Sequence, residues 1–359
     1  MQREHRETIL VTPPVVAGPG RIRRLRGLLV PAAAVLGALA VNAILLLALG
    51  ISPLTAYTSM VAGAIGSGQS VSDTLGKTVP IALIALGVGL TFRCGLWNAG
   101  GEGQFYAGAT GAALAGILID APPVILVPLE VLAGVAAGCL TALVPAALKA
   151  RYNTNEILVT LMLNFVPHLL ALYIIQGPLS HGYAAKTVDI HPAGQLPWLV
   201  MGGLRLHAGL LFVVAATLGL SVLSERTTFG YRVRAIGSNA RATEGAGISV
   251  VRTQFVVFLI AGGLGGLSGM IQVAALHHNL LEGMSAGFGF TAIVAALLGR
   301  LQPLGILAAS LGFAALVVGG DSMQRTARIE NSMVFVIEGL ILLFLLGGRI
   351  IGRESASTS

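Results

Sequence analysis

Charge is scarce in this chain. Of 359 residues, 10 % are Asp, Glu, Lys or Arg and 55 % are hydrophobic, whereas a soluble domain carries about 25 % charged residues. A chain this long cannot cover its surface in water with so few polar groups. That excludes a soluble globular domain and leaves an all-α polytopic membrane protein that uses lipid as solvent. Aromatic residues are also few, at 6 %. There are two cysteines, Cys94 and Cys139. They have no metal spacing, give no disulfide framework, and read as small residues in or beside apolar stretches. No zinc-binding His-Glu-x-x-His occurs, and no Ser/His/Asp set falls at one depth. The one phosphate-loop-like ending, Gly76-Lys77-Thr78, fails because the glycine required five residues earlier is Val71. No catalytic machinery, metal site or bound cofactor is expected of this chain. Its net charge of +7 is read as membrane orientation rather than nucleic-acid binding.

Glycine is abundant, at 48 residues. Small residues let helices approach closely in a bilayer, where van der Waals packing holds helices together. The run AGGLGGLSG places Gly262/Gly266 and Gly265/Gly269 at four-residue spacing, a close-packing face. A full crossing takes about 20 apolar residues. On that scale ten segments read as spans: 28–49, 78–92, 102–119, 124–148, 156–176, 206–224, 253–276, 288–299, 304–319 and 331–346. The polar, basic stretch 1–27 is too long, and the apolar run after it too long, for a signal peptide. It reads as a cytoplasmic tail before a retained first helix, and 348–359 reads as a second tail. With both ends inside, 17 of the 22 Lys and Arg residues fall on the cytoplasmic side, as the positive-inside rule requires. The segments 50–77 and 177–205 are the long outer ones. The first has an apolar stretch at the interface; the second is an outer loop with short helices and Trp198 at the lipid–water boundary.

The largest internal contributor to that asymmetry is 224–252, SERTTFGYRVRAIGSNARATEGAGISVVR, with five arginines and two acids. A long charged loop in so apolar a chain has two readings: a solvated loop that only enforces topology, or a docking surface for a cytoplasmic partner.

Polar residues also stand where lipid makes them costly. The strip FRCGLWNAGGEGQFYAGA holds Asn98, Glu102 and Gln104 among glycines. It fits either a cytoplasmic turn with a helix cap or a broken helix lining a water-filled cavity. The strip EGMSAGFGFTAIVAALLGRLQPLG, with Phe288 and Phe290, repeats its layout. Such paired, glycine-interrupted short spans point to a binding site in an inverted-repeat transporter. A third strip, NTNEILVTLMLNFVPHLLALYIIQ, places Asn164 and His168 one turn apart, beside a kinking Pro167. The pathway candidates are Asn98, Glu102, Gln104, Asn164, Phe288 and Phe290. The two phenylalanines are suited to stacking on a base or to forming a gate.

The strips NAGGEGQFYAGA, NEILVTLMLNF, GYRVRAIGSNARATEGAGI and GFGFTAIVAALLGRLQPLG, in that order over roughly residues 78–346, resemble the permease subunits of bacterial ATP-binding-cassette (ABC) importers. They resemble the branch serving branched-chain amino acids, ribose-type sugars and nucleosides, and within it most the nucleoside group. The resemblance implies a multi-pass inner-membrane subunit without enzymatic activity of its own. Its expected partners are a cytoplasmic ABC ATPase, a second permease in a heterodimer, and an extracytoplasmic binding protein or lipoprotein. It also implies that Arg241, Ala242, Glu244, Gly245 and Gly247 dock on the ATPase, from a short helix capped near Ser238-Asn239. Ribose-type sugar or branched-chain amino acid import, an ion-coupled secondary transporter and a transport-inactive membrane scaffold remain the alternatives.

Overall fold

The computed structural model describes residues 21–182, 184–201, 204–327 and 332–357. Most of the basic N-terminal tail (1–20), Arg328 and Asn331 lie outside these residues. The described chain is mostly helical. The helices are α1 (Arg21–Ala48), α2 (Pro53–Ile65), α3 (Gly68–Arg93), α4 (Gly101–Leu118), α5 (Pro123–Tyr152), α6 (Glu156–Leu163) and α7 (Phe165–Gln176), then α8 (Gly209–Arg226), α9 (Thr228–Ser238), α10 (Ala240–Gly245), α11 (Val250–Ile271), α12 (Phe288–Leu298), α13 (Pro303–Ala327) and α14 (Ser332–Ser357). Six helical stretches are long and apolar enough to cross a membrane: α3, α5, α6 with α7, α8, α11 with the π-turn that extends it to His277, and most of α13. Shorter apolar stretches lie in α1, α12 and α14. Each of the ten expected spans coincides with helix, but not every one is long enough to cross.

Several boundaries differ from expectation. α3 starts at Gly68, ten residues before the expected 78, because Ser67 caps it by accepting the Ser70 N–H at 3.0 Å; its small polar first turns had read as loop. The apolar stretch before it is α2, which packs on α13 with Ala56, Met60 and Ala64 buried. The expected span 156–176 breaks at Asn164. Pro167 has no N–H to return to the Leu163 carbonyl, so the helix ladder is interrupted there. The outer loop is not helical, and the chain is therefore not purely α. It contains two antiparallel hairpins, β1 (Ser180–His181) with β2 (Ala184–Thr187), and β3 (Trp198–Met201) with β4 (Leu204–His207), separated by a single 3₁₀ turn.

The centre of the fold is α3, buried along almost its whole length. Beside it α4, α5 and α11 pack through glycine. A Cβ on Gly108 would fall on the Gly266 backbone, one on Gly138 on the Gly262 carbonyl, and one on Gly266 on the Gly134 carbonyl. These contacts give dispersion attraction that larger residues would prevent. We expect Gly266→Val to force the three helices apart, at about 1–3 kcal/mol or more. The apparent melting point of the purified protein in detergent should fall by several degrees. Gly245→Ala, with nothing within 4 Å of its would-be Cβ, should leave it unchanged. Equal melting points for the two variants would refute the packing account.

Candidate functional site

The site is built on α6. Lys149 Nζ lies 3.0 Å from Glu156 Oε2 and ties the end of α5 to the start of α6. Asn153 ends α5 in the left-handed conformation. Asn155 caps α6 by accepting the Ile157 N–H at 3.0 Å. The connector from α3 to α4 then climbs along α6. The Trp97 N–H donates to Glu156 Oε1 at 3.5 Å and the Ala99 N–H to Thr160 Oγ1 at 3.2 Å. The Gly103 N–H donates to Asn164 Oδ1 at 2.8 Å, and Asn164 Nδ2 returns a bond to the Ala99 carbonyl at 2.9 Å. From Glu156 to Asn164 is about 12 Å of helix. The connector thus carries the first turn of α4 roughly that far along α6. Of the two readings of the Asn98–Glu102 strip, the broken helix describes its course: it is a strap that runs along α6 between α3 and α4.

A second strap meets it. After the π-turn, residues 278–287 run to the start of α12, with His278, Gly283 and Gly287 at positive φ. Its upper half pairs with the outer loop: the Thr187 N–H donates to the Leu280 carbonyl at 2.8 Å and the Glu282 N–H to the Ala185 carbonyl at 3.0 Å. Its lower half is held by α4. The Ser285 N–H donates to Tyr106 Oη at 3.4 Å, and the Gly289 N–H to Glu102 Oε2 at 2.8 Å. Glu102 therefore accepts from the first turn of α12, where a carboxylate is favoured by the unpaired N–H groups and the helix dipole. A Cβ at position 289 would fall on the Glu102 backbone, so the two helix starts are in contact.

Against this junction lies a cavity of about 490 Å³. Glu102, Tyr106, Asn164, His168, Ser285 and Phe290 line it, with Leu161, Met162 and Phe165 as an apolar wall. No lysine or arginine is among its lining residues. Tyr106 and His168 pack edge to face, with ring centroids 4.6 Å apart. Of the sequence candidates, Glu102, Asn164 and Phe290 face this space. Asn98, Gln104 and Phe288 do not. Asn98 and Gln104 are buried and bond each other at 3.3–3.4 Å. Asn98 Oδ1 also accepts the Gly100 N–H at 3.0 Å, so this pair folds the strap. Phe288 is buried edge-on against Phe105. The sequence reading missed Tyr106 and Ser285 and did not place His168 in the pathway. A signal was present: Tyr106 follows Glu102, and His168 follows Asn164, by four residues, which puts each pair on one helix face.

The segment with five arginines forms two helices. α9 buries Gly230, Val233 and Ile236. At Gly237 it lies so close to the end of α3 that a Cβ would fall on the Arg93 carbonyl. α10 is capped by Asn239, which accepts the Ala242 N–H at 3.0 Å. Arg241, Ala242, Glu244, Gly245 and Gly247 are all exposed on α10 and the turn after it.

A sequence model of the permease component of branched-chain amino acid transport systems matches residues 70–346. The chain belongs to this family. It is a multi-pass membrane subunit of the ABC permease class. It is 35 % identical to a glucose ABC transporter permease of Haloferax volcanii, over 90 % of this chain and 88 % of that one. It is 32 % identical to a guanosine ABC transporter permease of Bacillus subtilis, over 90 % and 94 %. With a nucleoside ABC transporter permease of Lactococcus lactis it shares 29 % identity, over 90 % and 91 %.

Asn164 is the cavity-facing candidate that joins two elements, since it sits at the break in α6–α7 and holds the strap by two bonds. Asn164→Ala would leave the buried Gly103 N–H unpaired, at about 1–3 kcal/mol. Asn164→Asp keeps that acceptor and loses only the bond to Ala99. Melting points in detergent should rank wild type above Asp above Ala. An Ala variant as stable as wild type would show that the strap does not depend on Asn164.

Proposed function

We propose that the permease imports a nucleoside, and that the cavity at the α4–α12 junction is where the solute sits as it crosses. The observation that carries this reading is the make-up of the cavity wall. The phenyl groups of Phe165 and Phe290 and the Met162 side chain give flat apolar surface for a base, and Glu102, Asn164, His168 and Ser285 supply acceptors and donors for ribose hydroxyls. A branched-chain amino acid would bring a carboxylate and find no lysine or arginine to receive it. A hexose, polar over its whole circumference, would leave the apolar wall unused and is the second reading, favoured by the glucose permease among the relatives.

The junction also supports ten crossings, both termini cytoplasmic, and an inverted repeat. α12 is 11 residues long, about 16 Å, too short for a bilayer core of about 30 Å. It fits as a half-helix running from mid-membrane to the cytoplasmic Arg300. Beside it α3, strap and α4 descend, turn and rise again. α11, strap and α12 perform the opposite sequence, rising, turning and descending. Related helix starts that meet at the midplane are the usual place for a transported solute. The exposed residues of α10 would seat in a partner ATPase. A second permease would close the open side of the cavity in a heterodimer, and an extracytoplasmic binding protein or lipoprotein would deliver the solute to the hairpins. Gly283 and Gly287 let the strap change its path as access alternates.

Uptake by cells expressing the complete transporter tests the substrate. Labelled guanosine or uridine should accumulate and be competed by nucleosides, not by glucose or leucine. Phe290→Ala should raise the KM for nucleoside about tenfold, since stacking on a base contributes about 1–3 kcal/mol. Accumulation of glucose or leucine in preference to nucleosides would replace this reading. The docking assignment has its own test. Glu244→Arg with Gly245→Trp should abolish ATPase co-purification and uptake while the melting point stays the same, and retention of both activities would reject it.

A further inference from the structure

A second cavity lies where α3, α13 and the β3–β4 hairpin meet, well apart from the α4–α12 junction. Its volume is about 150 Å³, too small for a nucleoside and suited to a single polar group. Its wall is charged. Lys77, Arg205 and Arg325 contribute to it, with Asp73 and Asp321. The two carboxylates are already engaged: Asp321 Oδ2 lies 2.5 Å from Lys77 Nζ, and Asp73 accepts from Gln69 Nε2 at 2.7 Å. Arg205 and Arg325 are exposed, and no salt bridge or hydrogen bond engages either guanidinium among the described residues. The Arg205 backbone is fixed, its N–H donating to Ser72 Oγ at 3.1 Å, so the guanidinium is tethered at the cavity.

The floor holds an incomplete group. His207 is 2 % exposed, and neither ring nitrogen completes a hydrogen bond. The Gly76 carbonyl is near enough to favour a proton on the ring, but burial outweighs it and holds the ring below the usual histidine range. In either protonation state the ring offers at least one N–H donor. Leaving a buried polar group unpaired is unfavourable, so a ligand that accepts this N–H recovers part of that cost. Two unpaired guanidiniums with planar, forked donors, beside a buried N–H, match a tetrahedral oxyanion. Trp198 stands against His207, ring centroids 6.2 Å apart, and is 45 % exposed. An indole half in and half out of the protein is characteristic of the lipid–water boundary, the depth at which phospholipid phosphates lie.

We propose that this cavity is a phosphate-binding site, with Arg205 and Arg325 gripping the oxyanion and His207 completing its coordination from below. The phosphate comes from the headgroup of an outer-leaflet phospholipid or from free phosphate. Only the choice of leaflet rests on the orientation proposed above. Binding there would brace the outer ends of α3 and α13 against the β3–β4 hairpin.

The test uses the full-length chain, delipidated in detergent. Phosphatidylglycerol and phosphatidylethanolamine are titrated and counted by native mass spectrometry, and inorganic phosphate is titrated in a melting assay. Wild type should hold one more phospholipid than Arg205→Ala/Arg325→Ala, or gain several degrees from phosphate that the double variant does not gain. Lipid retention without a phosphate effect identifies the headgroup as the source; the reverse identifies free phosphate. Both effects together mean that the site accepts either. Arg205→Lys/Arg325→Lys keeps charge and fold but loses the fork, and should bind about tenfold more weakly. If the alanine pair matches wild type in both assays, or the lysine pair binds as tightly as wild type, the proposal is wrong.

Discussion

A helix that begins inside a membrane protein exposes N–H groups that no water reaches, and each must find an acceptor within the protein. Two helices of this permease begin that way, and each is satisfied by the other half of the structure or by the helix beside it. The first turn of α12 receives Glu102 from α4, and its Phe288 N–H is also taken by Ser285 Oγ at 3.3 Å. The first turn of α4 receives Asn164 from the break in α6–α7. Neither start is self-sufficient. This mutual requirement fixes where the straps run, and the straps fix where the cavity opens. The costly polar residues of the sequence lie here because a helix start buried in protein must be capped by side chains.

The close contact of these starts depends in turn on missing side chains. Gly289 meets the Glu102 backbone, Gly103 meets Asn164, and Gly101 meets Ile84. Further along, α4 lies on α11 through Gly108 and Gly269, and α5 on α11 through Gly138 and Gly262. Removing Cβ brings backbones within reach of one another, and the carboxylate and amide then span the remaining gap. High glycine content and the few buried polar residues are therefore one design: the first permits the approach that the second needs.

Much of this could be read in the chain beforehand. The class followed from charge and hydropathy, the positions of the long apolar helices from apolar length, and the α10 cap from Ser238-Asn239. The layout shared by the Glu102 and Phe288 strips singled out two segments that the structure brings together through the Gly289 N–H and Glu102. What could not be read were facts of tertiary approach. Asn98 and Gln104 look like Glu102 in sequence, but helix phase turns Gln104 towards Gly265 of α11, and Asn98 pairs with it. Phe288 and Phe290 differ by two residues and so by more than half a turn, which buries one and exposes the other. The outer hairpins escaped because Trp198–Met201 and Leu204–His207 are too short to give an alternating pattern above the prolines and glycines around them. The start of α3 was hidden because its first turns are small and polar, and only the Ser67 cap marks them as helix.

The two straps also link the cavity to the two ends of the helices. On one side α9 presses Gly237 against the Arg93 carbonyl at the end of α3, and only the 94–100 connector separates that contact from the first turn of α4, which bears Glu102. On the other side β2 is hydrogen-bonded to Leu280 and Glu282, and Gly283 to Gly287 separate that pairing from α12. Rigid helices in close glycine contact transmit displacement as bodies and resist bending. Connectors of seven to ten residues, each tied by hydrogen bonds to a neighbouring element, run between such bodies. Both connectors end on the Glu102–Gly289 contact, so a displacement that lengthens this bond from one face also unseats the cap that holds the strap from the other. The same pair that satisfies two buried helix starts thereby joins the connector from one face to the connector from the other.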